Sequence, residues 1–197
     1  RPEIEQIMIA NTKGVSDSEF ETELYIIRRC IENAALTAHI TDLYICSLSC
    51  RSVIYKGMFL AEQLSAFYPD LNDARFISNF AIYHQRYSTN TFPTWHLAQP
   101  FRVIAHNGEI NTLRGNTNWM ACHEPRMDSR LFADRINDIK PVIQPGSSDS
   151  AALDAVFEMF VRSGRELPTA HVLLIPDAWA GKAAMPQAHK DLYAYSA

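Results

Sequence analysis

The sequence lacks any apolar run that approaches the roughly 20 residues needed by a membrane-spanning helix, and it has no signal-peptide pattern. It also lacks a basic block: its 18 lysines and arginines are scattered, and the formal net charge is -4. Nucleic acid and anionic membranes attract clustered positive charge, so both are poor partners for this chain. We expect a globular protein of the cytoplasm, and a plastid location is equally compatible with these absences.

Metal-binding motifs are also missing. Cys46 and Cys50 are four residues apart in a strand-like run, which matches neither a zinc knuckle nor an iron–sulfur pattern. The surroundings of His84, His96 and His106 lack a second ligand two to four residues away on a helix. We therefore expect free, buried or half-buried thiols in a reducing compartment, and structural or hydrogen-bonding roles for the histidines. The residues concerned are Cys30, Cys46, Cys50, Cys122, His84, His96 and His106.

The composition is that of a folded chain: 47% of the 197 residues are hydrophobic, which is enough to bury a core, and one domain is the natural count. Hydrophobic spacing and turn residues predict helices and strands in an α+β arrangement. The predicted helices cover 18–38, 58–67, 112–123, 150–163 and 186–195. The predicted strands cover 43–47, 52–56, 79–86 and 101–106, with a loop over 91–100 and no firm assignment for 168–175.

One predicted strand changes from apolar to polar along a single face. Phe80 and Ile82 are followed on that face by His84, Arg86 and Ser88. Arg86 would then carry a permanent charge where hydration is incomplete. A guanidinium in such a place needs an anionic partner, and its planar donors match a carboxylate. We expect that partner to be a ligand.

A second apolar run, Phe101 to Ala105, ends in the pair Asn107-Gly108. Such a pair is typical of a tight hairpin turn, because both residue types accept positive φ. The residues that follow do not alternate like a strand, which weakens that interpretation. The alternative is that the Asn107 side-chain amide and the Gly108 N–H converge as the two donors of an oxyanion hole.

Four segments, HQRYSTNTFP, AQPFR, AHNGEINTLRGN and PGSSDSAALD, occur in that order. Together they resemble the glutamine amidotransferase domain of glutamate synthase large subunits, an N-terminal-nucleophile hydrolase family. The resemblance covers nearly the whole chain and is least specific over its first forty residues. It implies a layered α/β/β/α sandwich and glutaminase activity, with ammonia transferred reductively to 2-oxoglutarate elsewhere in the intact enzyme.

The resemblance also implies roles for individual residues. Arg86 matches the arginine that binds the glutamine α-carboxylate, and Thr89 matches a threonine that lines the same pocket. Asn107 and Gly108 match the oxyanion-hole pair, and Asp149 matches the aspartate that holds the α-ammonium group. Without the resemblance, Asp149 is as well explained by capping, because it precedes a predicted helix.

One family feature is missing from this sequence. The family nucleophile is a cysteine at the mature N-terminus, whose α-amino group acts as general base, whereas this chain begins Arg1-Pro2. We therefore expect 1–197 to be a single partial domain without its N- and C-terminal parts, and to be inactive by itself. An internal-cysteine hydrolase that uses Cys122 with His123 or His106 is disfavoured, because adjacent helical side chains such as Cys122 and His123 point about 100° apart.

The resemblance implies no cofactor in these residues, and FMN with a 3Fe-4S cluster in the intact enzyme. The implied partners are glutamine or glutamate, the synthase domain, and a small NADPH-oxidising subunit or ferredoxin. Other class II amidotransferases share the same Arg, Asn-Gly and Asp set. A non-catalytic amino-acid-binding module is a further alternative, in which Arg86 and Asp149 clamp a ligand and Asn107-Gly108 is a turn.

Overall fold

The computed structural model describes residues 2–85, 92, 94–179 and 181–196. Short 3-10 helices at Ala61–Gln63, Pro69–Asn72, Glu124–Arg126 and Ala133–Asn137 separate the longer elements. In the described ranges, no helix is both long and apolar enough to cross a membrane. The α-helices are α1 (Asp17–Thr37), α2 (Leu64–Phe67), α3 (Leu113–His123), α4 (Asp149–Arg162), α5 (Leu167–Leu174) and α6 (Gln187–Ser196).

Helix α1 begins at a capping box. The Ser16 Oγ accepts a hydrogen bond from the backbone N–H of Glu19 (3.3 Å), and the Glu19 carboxylate accepts one from the Ser16 N–H (3.0 Å). This exchange satisfies two backbone donors that have no partner within the helix. Leu24, Tyr25 and Ile26 of α1 are buried. The predicted helix over 18–38 is thus confirmed, with its start set by a local signal.

Helix α4 packs against α1, α3 and α5. Between α1 and α4, the Arg28 guanidinium forms an ion pair with Glu158 at 2.5 Å, and both side chains are almost fully buried. A buried ion pair fixes the relative position of two helices, because separating the two charges would leave each of them buried without a partner. The apolar core beside it contains Tyr25, Ile26, Met120, Phe132, Ile139, Val142, Ile143, Ala152 and Met159.

The helices agree well with the sequence-based expectations. Those predicted over 112–123, 150–163 and 186–195 correspond to α3, α4 and α6, and the unassigned 168–175 is α5. The helical segment observed within the predicted range 58–67 is shorter than predicted: a 3-10 turn at Ala61–Gln63 is followed directly by the single turn of α2.

The strand predictions differ from the structure. Among the described residues, 43–47, 52–56, 79–85 and 101–106 contain no β-strand. Strands need backbone acceptors on a neighbouring strand. In and between the first two of these segments, however, backbone N–H groups donate to side chains instead. The Cys50 N–H donates to Glu21 (2.7 Å), and the Ile54 N–H donates to the Ser47 Oγ (3.2 Å). The layered sandwich therefore stays a prediction.

The apolar face expected of the third strand is also absent. Phe80 and Ile82 are exposed, at 75% and 59% of their surface, so they do not form a buried stripe that leads into a polar end. By contrast, Phe101 in the next predicted strand is buried. Its segment is held against α4, which is the arrangement that positions the candidate site.

Candidate functional site

The Asn107-Gly108 pair lies in the irregular segment between Phe101 and α3, and both residues are exposed. Neither has a positive φ. A two-residue type I′ hairpin requires positive φ at both central positions, so the hairpin explanation of this pair is wrong. The positive φ in this region lies instead at Thr112, which precedes α3. The oxyanion role of the pair stays a prediction.

The backbone just before this pair is fixed by Asp154 of α4. Its Oδ1 accepts the N–H groups of Val103 (2.8 Å) and Ile104 (3.0 Å), and its Oδ2 accepts that of Arg102 (3.1 Å). Asp154 is 1% exposed. Burial raises the pKa of its carboxyl, against the lowering effect of the Val103 N–H. A carboxylate with three backbone donors holds this irregular segment rigidly against the helix.

A chain of hydrogen bonds continues from this segment to the start of α4. The Gly108 N–H donates to the His106 Nδ1 (3.2 Å), and the His106 Nε2 lies 2.8 Å from the Ser150 Oγ. The Ser150 hydroxyl in turn donates to the Asp149 Oδ1 (3.2 Å). The structure therefore brings together Asn107-Gly108 and Asp149, which the sequence analysis placed in one site. The role expected of His106, hydrogen bonding, agrees with these contacts.

Asp149 occupies the first turn of α4, but it is not the cap of the helix. Ser148 is the N-cap residue, and its side chain accepts the N–H of Ala151 (3.2 Å). The Asp149 Oδ1 also accepts the N–H of Ser150 (2.6 Å). Within the described ranges, its Oδ2 has no hydrogen-bond partner. A partly buried carboxylate beside a cleft is suited to bind a cation such as an ammonium group.

An open cleft of about 1360 Å³ runs past Asp149. Its walls include residues 148–150, 99–101 and 76–85. The last range ends immediately before Arg86, but Arg86 and Thr89 lie outside the described residues. Their roles in binding the carboxylate therefore stay predictions. A cleft of this size accommodates a free amino acid with room for further groups.

Lys56 supports one wall of the cleft from behind. Its Nζ lies 4.5 Å from the ring centre of Phe101 and 4.7 Å from that of Tyr44, and it donates to the Tyr44 hydroxyl (2.9 Å) and the His96 carbonyl (3.0 Å). Burial and the nearby Arg102 charge lower the pKa of Lys56 to about 8. All its contacts are internal, so we assign it a packing role.

The four cysteines are free thiols, as expected. Cys30 and Cys46 are partly buried, whereas Cys50 and Cys122 are exposed, so the expectation of burial is correct for half of them. Burial raises the pKa of the Cys46 thiol, which makes it a poor nucleophile. Among the described residues, no group of three or more His, Cys, Asp or Glu side chains is placed to hold a metal ion.

Two residues of this site, Ser150 and Asp154, were missed as functional positions by sequence reasoning. They are four apart on α4, so they lie on one helical face and reach the same segment. A signal for Asp154 does exist in the sequence: it is an acidic residue within the apolar run Ala151 to Met159. Such a residue is nearly always exposed or paired. Its partners, however, are backbone groups that leave no pattern in the sequence.

Comparisons with known proteins bear on the family of the chain and not on single residues. A family model described as "Glutamine amidotransferases class-II" matches residues 1–197. The large chain of NADPH glutamate synthase from Azospirillum brasilense is 62% identical over 195 residues, which cover 99% of this chain and 13% of that protein. Ferredoxin-dependent chloroplastic glutamate synthase from Spinacia oleracea is 49% identical over 180 residues, covering 90% of this chain and 11% of that protein.

The Bacillus subtilis large chain of NADPH glutamate synthase is 43% identical over 195 residues, covering 98% of this chain. This chain spans between 11% and 13% of the length of these three relatives. Similarity of this extent covers the whole candidate site.

Proposed function

The chain belongs to the class-II glutamine amidotransferase family, and from that premise we propose that it forms the glutamine-binding and amide-hydrolysing pocket of a glutamate synthase. Its relatives in Azospirillum brasilense, Spinacia oleracea and Bacillus subtilis carry that name. In this proposal residues 1–197 belong to one amidotransferase domain of the layered α/β/β/α type.

The observation that carries the proposal is the hydrogen-bonded chain from Gly108 through His106 and Ser150 to Asp149. It joins the Gly108 N–H, which is next in the chain to Asn107, to a carboxylate that faces a cleft. Glutamine needs both features, because its α-ammonium group requires an anion and its side-chain amide develops negative charge on oxygen during hydrolysis. Arg86 and Thr89 would bind the α-carboxylate from the end of the 76–85 wall.

The proposed reaction begins when a thiolate attacks the carbon of the glutamine side-chain amide. A C–S bond forms while the carbonyl electrons move to oxygen, and the Asn107 amide and Gly108 N–H donate to that oxygen. The C–N bond then breaks and the nitrogen leaves as ammonia after gaining a proton. Water hydrolyses the thioester, which releases glutamate and restores the thiol. The family nucleophile is an N-terminal cysteine, and we assign that role to no residue of 1–197.

We assign no cofactor to the residues of this chain. FMN and a 3Fe-4S cluster are proposed for the synthase part of the protein, where ammonia would be added reductively to 2-oxoglutarate. The donor set here does not fit a cluster, because the part of the chain that the structure describes has no cluster of three possible ligands. No reaction step in these residues is therefore routed through either group.

The proposed partners are glutamine, the synthase domain, and an electron donor that differs between relatives. The Azospirillum brasilense protein is named for NADPH and the Spinacia oleracea protein for ferredoxin. The source of electrons would therefore be either a small NADPH-oxidising subunit or ferredoxin, in the cytoplasm or a plastid. Nucleic acid and membranes are not expected partners, in line with the net charge of -4.

The test is glutamine hydrolysis, measured as ammonia release, by the protein expressed from its complete gene. Two substrate analogues sharpen it: glutaramic acid, which lacks the α-amino group, and 4-aminobutanamide, which lacks the α-carboxylate. Asp149→Asn should lower kcat/KM for glutamine by about 10–100-fold, the cost of a lost charge-assisted hydrogen bond, and leave that for glutaramic acid nearly unchanged. Arg86→Ala should likewise lower kcat/KM for glutamine by about 10–100-fold and leave kcat/KM for 4-aminobutanamide nearly unchanged.

Matched controls are Asp128→Asn and Arg126→Ala, because both residues are exposed and lie away from the cleft. They should behave like the wild type with all three substrates. Ammonia release that is absent in the wild type, combined with saturable glutamine binding, would replace the proposal by an amino-acid-binding module. Equal loss with glutamine and glutaramic acid in Asp149→Asn would remove the ammonium role from Asp149.

A further inference from the structure

One nitrogen of the His106 ring accepts a hydrogen bond and the other donates one. Its Nδ1 accepts the Gly108 N–H (3.2 Å), so Nδ1 carries no proton. A neutral ring then carries its proton on Nε2, which donates to the Ser150 Oγ (2.8 Å). The Ser150 hydroxyl is left to donate to the Asp149 Oδ1 (3.2 Å). Every donor in this chain meets an acceptor, so one tautomer and one orientation satisfy the whole set.

We propose that His106 is a positioning residue, whose imidazole fixes the orientation of the Asn107-Gly108 peptide against Asp149 by bridging the Gly108 N–H to the Ser150 hydroxyl of α4. The proposal rests on the proposed function, because it concerns the donors that would stabilise the oxyanion. His106 itself would touch neither the substrate nor the reacting atoms.

Helix α4 provides the rigid frame that this role needs. Asp154 binds the backbone of residues 102–104, and Ser150, one turn earlier on the same face, binds the His106 ring. The segment is thus attached at two points of one 14-residue helix. These two attachments do not fix the orientation of the Asn107-Gly108 peptide. Oxyanion donors are effective when they are oriented before the reaction, and the bond from Nδ1 to the Gly108 N–H supplies that last constraint.

The length of that bond leaves the Gly108 N–H available for a substrate. At 3.2 Å it is at the long end of the range for N–H donors, and an N–H group can be shared between two acceptors. Both ring nitrogens of His106 contact groups of the protein itself. Orientation is the function that these contacts support.

Three substitutions of His106 separate the effect of the hydrogen bond at Nδ1 from that of the hydrogen bond at Nε2. His106→Asn keeps an acceptor near the Nδ1 position and loses the group that reaches Ser150. His106→Gln keeps a donor near the Nε2 position and loses the acceptor for Gly108. His106→Ala loses both. The control is His123→Asn, at the exposed C-terminal end of α3.

We expect His106→Ala and His106→Gln to lower kcat for glutamine hydrolysis by about 10–100-fold with KM nearly unchanged, a fraction of the effect of deleting an oxyanion donor. His106→Asn should remain within about 5-fold of the wild-type kcat, because the acceptor for the Gly108 N–H is retained. His123→Asn should match the wild type. Equal kcat values for the Asn and Gln variants would overturn the proposal, as would a main effect on KM.

Hydrogen–deuterium exchange supplies a readout that does not depend on activity. The amide of Gly108 should exchange faster in His106→Gln and His106→Ala than in His106→Asn or the wild type, with thermal unfolding measured beside it. Unchanged exchange in all variants would overturn the positioning role even if the wild type hydrolyses glutamine. Faster exchange in His106→Gln and His106→Ala, combined with a wild type that releases no ammonia, would leave the contact in place and remove the proposed function.

Discussion

At the scale of single residues, Gly108 has no local need to be glycine. Its φ is not positive, and a Cβ placed on it would meet only the His106 Nδ1, at 4.0 Å, among the described residues. Neither strain nor crowding therefore explains this glycine. We propose that the missing side chain allows a ligand to approach the backbone closely, as a donor to an oxyanion requires.

That argument gives a prediction for Gly108→Ala. The free energy of unfolding should change by less than about 1 kcal/mol, because the new methyl group has space and an allowed φ. Glutamine turnover should fall sharply, because the methyl group would occupy the approach to the N–H. Chemical unfolding and ammonia release, measured on the same preparation, check both halves. A stability loss that accounts for the lost activity would contradict the prediction.

Asn107 is predicted to act on the transition state and not on binding. Asn107→Ala should lower kcat by about 10²–10³, the cost of one oxyanion donor, with little change in the glutamine dissociation constant. Steady-state kinetics combined with glutamine binding measured by calorimetry separate the two effects. Asn118→Ala, on the exposed face of α3, is the matched control. A variant that loses binding and keeps turnover would reverse the assignment.

At the scale of elements, α4 combines packing with site construction. Its apolar side chains Ala152, Phe157 and Met159 are buried in the interior of the protein. Its polar side chains Ser150 and Asp154, also buried, hold the segment before Asn107. The site thus takes its rigidity from the same helix that organises the core.

Asp154→Asn tests this coupling. An amide offers one acceptor where the carboxylate offers two, so at least one of the Arg102, Val103 and Ile104 N–H groups loses its partner. The expected loss is about 1–3 kcal/mol of unfolding free energy, typical of a buried donor left unsatisfied. Urea unfolding measures it, with the exposed Asp134→Asn as control. Turnover should fall further than stability alone explains, because the segment carries the oxyanion donors.

Helices and strands differ in how well the sequence predicted them. The start of α1 depends on Ser16 and Glu19, three residues apart, and that of α4 on Ser148 and Ala151. Such signals are local and can be read directly. The strands predicted at 43–47 and 52–56 depended on partners that a sequence pattern does not identify. In the structure those segments are held by contacts such as that from the Ile54 N–H to the Ser47 Oγ.

At the scale of the whole molecule, buried charges connect the elements. Glu32 on α1 accepts from Arg28 (2.8 Å), from Arg29 (2.5 Å) and from Arg102 (3.3 Å) of the site segment. Its side chain is only 13% exposed. Burial by itself would raise the pKa of this carboxyl, but the charges of Arg28, Arg102 and Arg29 outweigh burial and lower it below 4.5.

A pH dependence of stability follows from that direction. A carboxyl whose folded pKa is lowered contributes stability above its unfolded pKa, and the contribution is lost as the pH falls through the folded value. We expect the unfolding free energy of the wild type to fall more steeply than that of Glu32→Gln between about pH 5 and about pH 3. Urea unfolding at several pH values measures both slopes. Glu23→Gln, exposed on the same helix, should keep the wild-type slope, and parallel slopes for all three proteins would contradict the assignment.

The sequence by itself determined helices α1, α3, α4 and α6, the absence of a membrane-spanning run, and the candidate pair Asn107-Gly108 with Asp149, because caps, apolar spacing and motifs are local properties of the chain. Only the tertiary structure decided that Asn107-Gly108 is not a hairpin turn, and that His106 and Ser150 join the pair to Asp149. The physical reason is distance along the chain. His106 and Ser150 are 44 residues apart, and their contact exists only because α4 packs against the core and Asp154 holds the backbone of residues 102–104, just before His106, on its face.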